Sequence, residues 1–197
     1  MPSATYKTRL VDQPVRLPAE IIVEKPYQQQ FKLTKPDSIE TRALDGYEGW
    51  VQNTSRDDPR QRRLRLLGAP EIKQLRANTW ENLNFFAGLE KKGGRVQLEG
   101  EATVDGVECV KLSFVHTDEI VFHRFFDRAT GRLVRTETES GGEIREEGEI
   151  VVDGVRFPRK VINKSANGKV DTLVFDKIVL NELVPAEEFA VPAMPVN

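Results

Sequence analysis

Val104-Asp105-Gly106-Val107 and Val152-Asp153-Gly154-Val155 decide the fold class of this chain, because each sets Asp-Gly between β-forming residues. That dipeptide supplies the positive φ angles a tight hairpin turn demands, and strands joined so closely must pair antiparallel. Working outward, Asn167-Gly168 marks another hairpin, between 161–164 and 169–180. Asp127-Arg128-Ala129-Thr130-Gly131 reads as a longer turn between 120–126 and 132–138. Toward the N-terminus the signal is alternation. Leu17, Ala19, Ile21 and Val23 alternate with Pro18, Glu20, Ile22 and Glu24, which points the odd positions inward. Phe31 and Leu33 continue this stripe after Tyr27, and Trp50 and Val51 lie in another short extended stretch. The pattern predicts an antiparallel meander of about ten or eleven strands.

One interval breaks the period of two. Pro70 and Glu71 open a helical turn, and Asn78-Thr79 offers a cap before Trp80, Leu83, Phe86 and Leu89. Those spacings of three define an apolar helix face. Helix is expected over about 70–90 in two short pieces, ended by Lys91-Lys92-Gly93-Gly94, where basic residues and glycine favour a C-terminus. A long antiparallel sheet with a short helical insertion is an α+β architecture.

The composition agrees with one domain. The chain has 197 residues, 39% hydrophobic and 30% charged, which excludes both a disordered tail and a membrane bundle. No run of eighteen apolar residues exists, so no transmembrane span is expected. With 29 Lys+Arg against 31 Asp+Glu, the net charge of −2 lacks the footprint that nucleic-acid binding needs. Cys109 is the single cysteine and reads as a small buried hydrophobe. Met1-Pro2-Ser3-Ala4 is not a signal peptide, since no apolar region follows a basic start. A chain trimmed just before its first strand and a cytosolic protein with a short N-terminus both remain open. Val191-Pro192-Ala193-Met194-Pro195 reads as an unstructured exit.

Chemistry is sparse. His116 and His123 flank Asp118 and Glu119, but their spacing matches no metal motif, and no metal or other cofactor is expected. Ser113 lacks the strained elbow of a hydrolase nucleophile. The acidic run from Glu137 to Glu149 reads as a solvated face. Arg56, Arg60, Arg62, Arg63 and Arg65 read as a charged loop and edge strand, with an anionic head group or an acidic partner as the functional alternative. No enzyme is expected. What remains is apolar surface, because so long a sheet has too few helical residues to cover one face. Either it closes into a barrel or it holds an apolar concavity.

Several motifs resemble the LolA/LolB-like lipoprotein carriers. Glu24-Lys25-Pro26, Phe31, Pro36, Asp45-Gly46 and Trp50 are similar to the first half of that family. Phe125-Phe126-Asp127-Arg128-Ala129-Thr130-Gly131-Arg132-Leu133-Val134-Arg135 resembles a hairpin of outer-membrane lipoprotein-sorting-like proteins. Val152-Asp153-Gly154-Val155-Arg156-Phe157-Pro158 and Glu187-Glu188-Phe189-Ala190-Val191-Pro192 extend the resemblance over nearly the whole chain. It implies a single domain, 1–197, built as an unclosed half-barrel of eleven strands with a helical flap over its mouth. It also implies a location in the bacterial periplasm or cell envelope, and non-enzymatic binding of a lipid, an acyl chain or an acylated protein.

On that reading the inward strand faces hold the ligand through Leu17, Ile21, Val23, Phe31, Leu33, Trp50, Phe86, Val110, Leu112 and Phe114, with 78–90 as the flap. Two departures stand out. The chain is expected to begin in the strand after the family's N-terminal lid helix, and Lys25 stands where the carrier has an arginine that helps close the lid. Lysine lacks the bidentate fork, so it is only a candidate lid contact. The alternative is a structural or sensory module that keeps the fold and binds an envelope protein instead of lipid.

Overall fold

The computed structural model describes residues 3–12, 15–84, 87–117 and 120–193. The chain divides into two compact units, one of residues 1–10, 15–83 and 175–197, the other of 11–14 and 84–174. The first holds β1 (Ser3–Asp12) up to Leu10, β2 (Val15–Glu24), β3 (Gln28–Thr34), β4 (Ser38–Asp45), β5 (Glu48–Ser55) and β6 (Arg62–Leu66), then helix α1 (Ala69–Asn84) up to Leu83. The alternation read in β2 and β3 becomes register: Ala19 pairs with Leu33, Ile21 with Phe31 and Val23 with Gln29. Glu71 starts α1 by accepting from the Gly68 N–H at 3.1 Å, which satisfies a backbone donor the first helical turn leaves open. The Arg65 fork donates to both oxygens of the same carboxylate, at 2.8 and 3.0 Å. These bonds, Arg65 first, hold Glu71 down to about 2.

The second unit opens with a 3-10 turn, Leu89–Lys92, which ends at Gly93 with φ 80°. Helix does fall in the expected interval, but α1 runs unbroken through Asn78-Thr79, where a second piece was expected to begin, and the 3-10 turn lies at the Lys91-Lys92-Gly93 end. Then come β7 (Arg95–Val104), β8 (Val107–Thr117), β9 (Ile120–Asp127), β10 (Leu133–Thr138), β11 (Glu143–Glu147), β12 (Ile150–Val152), β13 (Val155–Phe157), β14 (Lys160–Lys164) and β15 (Val170–Leu180). Residues 170–174 of β15 belong to this unit and 175–180 to the first. The Asp105-Gly106 turn closes as read, with Val104 opposite Val107. So does Asp153-Gly154, with Val152 opposite Val155.

Hydrogen bonding orders thirteen strands as β6-β5-β4-β3-β2-β1-β15-β14-β11-β10-β9-β8-β7, and β12-β13 form a separate two-stranded sheet. The order has two different ends, so the sheet is unclosed, and the α+β class holds. The strand count exceeds the expected ten or eleven. The Asp153-Gly154 hairpin accounts for part of this, because it leaves the main ladder and β11 pairs with β14 across it. The order also departs from chain order where β1 lies beside β15.

The start of β7 tolerates no side chain. A Cβ at Gly94 would lie 2.6 Å from Leu89 Cγ and 2.7 Å from the Val115 carbonyl oxygen, which is backbone and cannot swing away. Gly94→Ala is expected to cost about 2 kcal/mol or more of stability. Urea denaturation checks this, with Gly106→Ala in the open β7–β8 turn as the strain-only control.

Candidate functional site

The pairings sort the sequence-predicted wall residues onto faces. In the first unit Ile21, Phe31, Arg42, Val51 and Arg65 follow one another across β2 to β6, and Val23, Gln29, Leu44 and Gly49 form the row beside them. Since side chains alternate along a strand, Leu17, Ala19, Ile21, Val23, Phe31 and Leu33 share one face. Helix α1 sits on that face: Thr79 Oγ1 lies 2.8 Å from Gln29 Oε1, and Thr79 is fully buried. Val23 and Leu44 are 0% exposed and Leu33 is 6%. Leu17, Ile21 and Phe31 are only half-buried, so this stripe keeps apolar area open to solvent. Farther across, the same face carries Glu40, Arg42, Arg63 and Arg65. The half-open part of the apolar strip therefore lies on β2 and β3, while β4 and β5 add the buried Leu44 and Val51 and the charged residues border them.

Trp50 lies on the other face. It pairs with Ala43, which pairs with Gln30, which pairs with Ile22, all of the opposite parity. This corrects its place in the predicted wall: Trp50 does not join Phe31 and Leu33. Its Nε1–H donates to the Phe189 carbonyl at 2.9 Å. Gln30 Nε2 donates to the Glu188 carbonyl beside it. The C-terminal segment, with a 3-10 turn at Ala186–Glu188, is thus strapped to this face, and Phe189 is 0% exposed. Arg62 Nη2 extends the strap by donating to the Ala193 carbonyl at 3.0 Å. The end read as an unstructured exit is tied down at least to Ala193, because sheet donors reach its backbone.

Lys25 is exposed in the β2–β3 turn. A different cation fastens the helix. The Arg76 guanidinium of α1 lies 3.8 Å from the ring centroids of both Tyr27 and Tyr47, and donates to the Gly46 carbonyl at 2.6 Å. A planar guanidinium between two rings gains from both faces at once. No sequence motif marked it, although a basic residue on a helix with aromatic residues in two turns was the available signal.

In the second unit Phe114 pairs with Phe122, Leu112 with Arg124 and Val110 with Phe126. Val110, Leu112 and Phe114 therefore share one face, while Phe86 lies outside the described residues. Arg124 is 4% exposed at the middle of that face, its guanidinium carbon 4.5 Å from the Phe114 ring centroid and 5.2 Å from that of Phe122. Continuing from Arg124, the row runs through Thr136 and Ile144 to Asn163. Glu146 lies two residues along β11 from Ile144, on the same face. Burial pushes its carboxyl up, with the Arg124 charge opposing.

The histidines occupy opposite faces: His116 meets the Phe122 ring edge-on at 5.7 Å, while His123 Nδ1 lies 2.8 Å from Ser113 Oγ. Asp118 and Glu119, the carboxylates read beside them, lie outside the described residues. Ser113 Oγ also donates to Glu99 Oε1 at 2.7 Å. A hydroxyl has one proton, so the serine accepts from His123 Nδ1–H. That arrangement is the reverse of an activated nucleophile, whose proton must pass to the histidine. Ser113 is 1% exposed.

A cavity of about 420 Å³ opens at the β8–β10 hairpins and is lined by Glu108, Asp127, Arg128 and Ala129. The Asp127 carboxylate is occupied by its own turn, accepting from Thr130 Oγ1 and the Ala129 N–H, both at 2.8 Å.

An open antiparallel sheet with α1 against one face is a fold that this chain shares with solved structures. A LolA superfamily protein from Nitrosomonas europaea matches with a TM-score of 0.60 and 15% identity, over 96% of this chain and 89% of that one. A Vibrio parahaemolyticus structure named as an outer membrane lipoprotein-sorting protein domain matches with a TM-score of 0.61 and 9% identity, over 95% and 89%. No protein-family model matches the sequence, and no curated protein matches it either.

Proposed function

We propose that this chain binds an apolar ligand, a lipid or the acyl chain of an acylated protein, in a bacterial cell envelope and without catalysis. One observation carries the reading: Leu17, Ile21 and Phe31 form a half-buried apolar stripe on the face where α1 packs, beside the fully buried Val23. A soluble sheet that leaves aligned apolar side chains half-open next to a helix has a place for a flexible hydrocarbon. The fold shared with a LolA superfamily protein and with a domain named for lipoprotein sorting supports the same choice. The proton order at Glu99, Ser113 and His123 supports binding over hydrolysis.

Straight-chain alcohols from octanol to hexadecanol test this by displacing an environment-sensitive apolar dye. Affinity is expected to rise with chain length, by at most about 0.8 kcal/mol per methylene, until the strip is filled. Affinity that ignores chain length overturns the reading and favours a protein partner.

A further inference from the structure

Among the described residues β6 ends the strand order, with no strand beyond it, and its register with β5 runs unbroken from Leu66 opposite Trp50 to Arg62 opposite Thr54. The Leu67 N–H donates to the Gly49 carbonyl at 2.7 Å and the Ser55 N–H to the Gln61 carbonyl at 2.9 Å, so the odd-numbered residues of this edge bond inward. In an antiparallel ladder the residues between them turn their N–H and C=O outward, and here those are Arg62, Leu64 and Leu66. The Arg62 N–H bonds back to the Arg60 carbonyl, and Arg65 Nη1 reaches the Leu66 carbonyl. Leu64 keeps both backbone groups for another strand, and Leu66 keeps its N–H. The side chains narrow the choice of strand. Arg63 and Arg65 stand on the face of α1, and Arg62, Leu64 and Leu66 on the other, with Leu66 63% exposed. Arg65 is matched by Glu71, and Arg62 donates to the neutral Ala193 carbonyl. Arg63 is exposed, and no carboxylate pairs with it among the described residues.

We propose that β6 takes up an acidic segment of a partner protein as an added antiparallel strand, with carboxylates opposite Arg62 and Arg63 and apolar side chains opposite Leu64 and Leu66. The main-chain bonds to Leu64 supply affinity, and the alternating side chains fix the register. Arginines on an edge repel basic strands, and by the same charge they select acidic ones. A second copy of the chain does not fit. Antiparallel pairing of β6 with itself about Leu64 sets Arg63 opposite Arg65 twice, and like charges directly opposite are destabilising. A lipid surface does not fit either, since the arginines occupy both faces of the strand and head groups offer Leu64 no ladder. The edge is separate from the apolar stripe on β2 and β3, so its test is independent of the apolar-ligand reading.

A blocked, fluorescein-labelled peptide, Ser-Val-Thr-Val-Glu-Glu-Ser, titrated with the whole protein and read by anisotropy at low salt, tests the proposal. In the proposed register its second valine lies opposite Leu64 and its first glutamate opposite Arg63. Replacing both glutamates by glutamine is expected to weaken binding about fivefold or more. N-methylation of the second valine removes the donor to the Leu64 carbonyl and is expected to weaken binding about tenfold. N-methylation of the threonine, whose N–H points away from β6, is expected to change affinity by about twofold or less. Arg63→Glu is expected to reverse the charge preference, so that a peptide with lysine in place of the first glutamate overtakes the original. Equal binding of the glutamate and glutamine peptides, equal effects of the two methyl groups, or no peptide binding overturns the proposal. A preference for glutamate that survives Arg63→Glu also overturns it. Should Arg63→Glu fail to fold, the two methylated peptides on the unsubstituted protein decide. Arg63-dependent binding to vesicles of equal parts phosphatidylglycerol and phosphatidylcholine, without peptide binding, assigns the edge to head groups instead. A dimer that excludes the peptide assigns it to a second copy, and either result overturns the proposal.

Discussion

Phe189→Ala is expected to lower the unfolding free energy by about 3–5 kcal/mol. The ring is 0% exposed, and its backbone carbonyl is fixed by the Trp50 indole at 2.9 Å. Truncation leaves a cavity that cannot collapse freely, because Gln30 and Trp50 hold the backbone on either side of the gap. Val191, two residues on, is 37% exposed, and Val191→Ala should shift stability by less than about 0.5 kcal/mol. Urea denaturation of both variants makes the comparison. Equal midpoints would mean that the strap contributes nothing to the fold. Trp50→Phe removes the indole N–H together with part of the buried ring and should cost about 1–3 kcal/mol, with part of that loss absent when Phe189 is already Ala.

Two carboxylates placed one row apart should behave oppositely. Leu33 is 6% exposed and lies between Ala19 and Glu40 in register. Leu33→Asp buries a charge beside a like charge, and is expected to cost about 4 kcal/mol or more or to prevent folding. Phe31 is half-buried and lies between Ile21 and Arg42. Phe31→Asp gives its charge a cationic neighbour and an outlet to water, so the fold should survive. Its effect falls on the ligand: hexadecanol affinity should drop by about tenfold or more, as expected for removing a buried phenyl contact. A folded Phe31→Asp protein with unchanged hexadecanol affinity would remove β3 from the binding surface.

The turns were the most legible part of the sequence. Asp-Gly at 105–106 and at 153–154 forced hairpins that neighbouring residues could not veto, since few other dipeptides accept the φ angles of 52° and 84° found at Asp105 and Gly106. The helical interval was legible for a similar reason, being local. Faces were harder. Ile22 and Val23 are adjacent and both buried, because the C-terminal strap covers one side of the sheet and α1 the other. Parity alone cannot say which side a tryptophan takes, so Trp50 joined the wrong group. Phe189 was hidden by its setting. A single large residue among prolines and acids carries no periodicity, and the Trp50 that fixes its backbone lies 139 residues away. Arg76 and Arg124 were hidden because an arginine gains its meaning from rings that only the folded register brings beside it.

Gly100 gives one edge of the sheet a further property. Among the described residues β7 is the last strand in the order, its outer backbone groups unmatched by another strand, and it exposes Leu98 at 71%. A straight edge of ten residues with that side chain would template a strand from another molecule and start cross-β growth. The register slips between Leu98 and Gly100, where Gly100 adopts φ 125°. An incoming strand would find its ladder broken halfway and its side chains out of step with Leu98. One glycine thus lets the chain keep an apolar edge residue on display without inviting polymerisation.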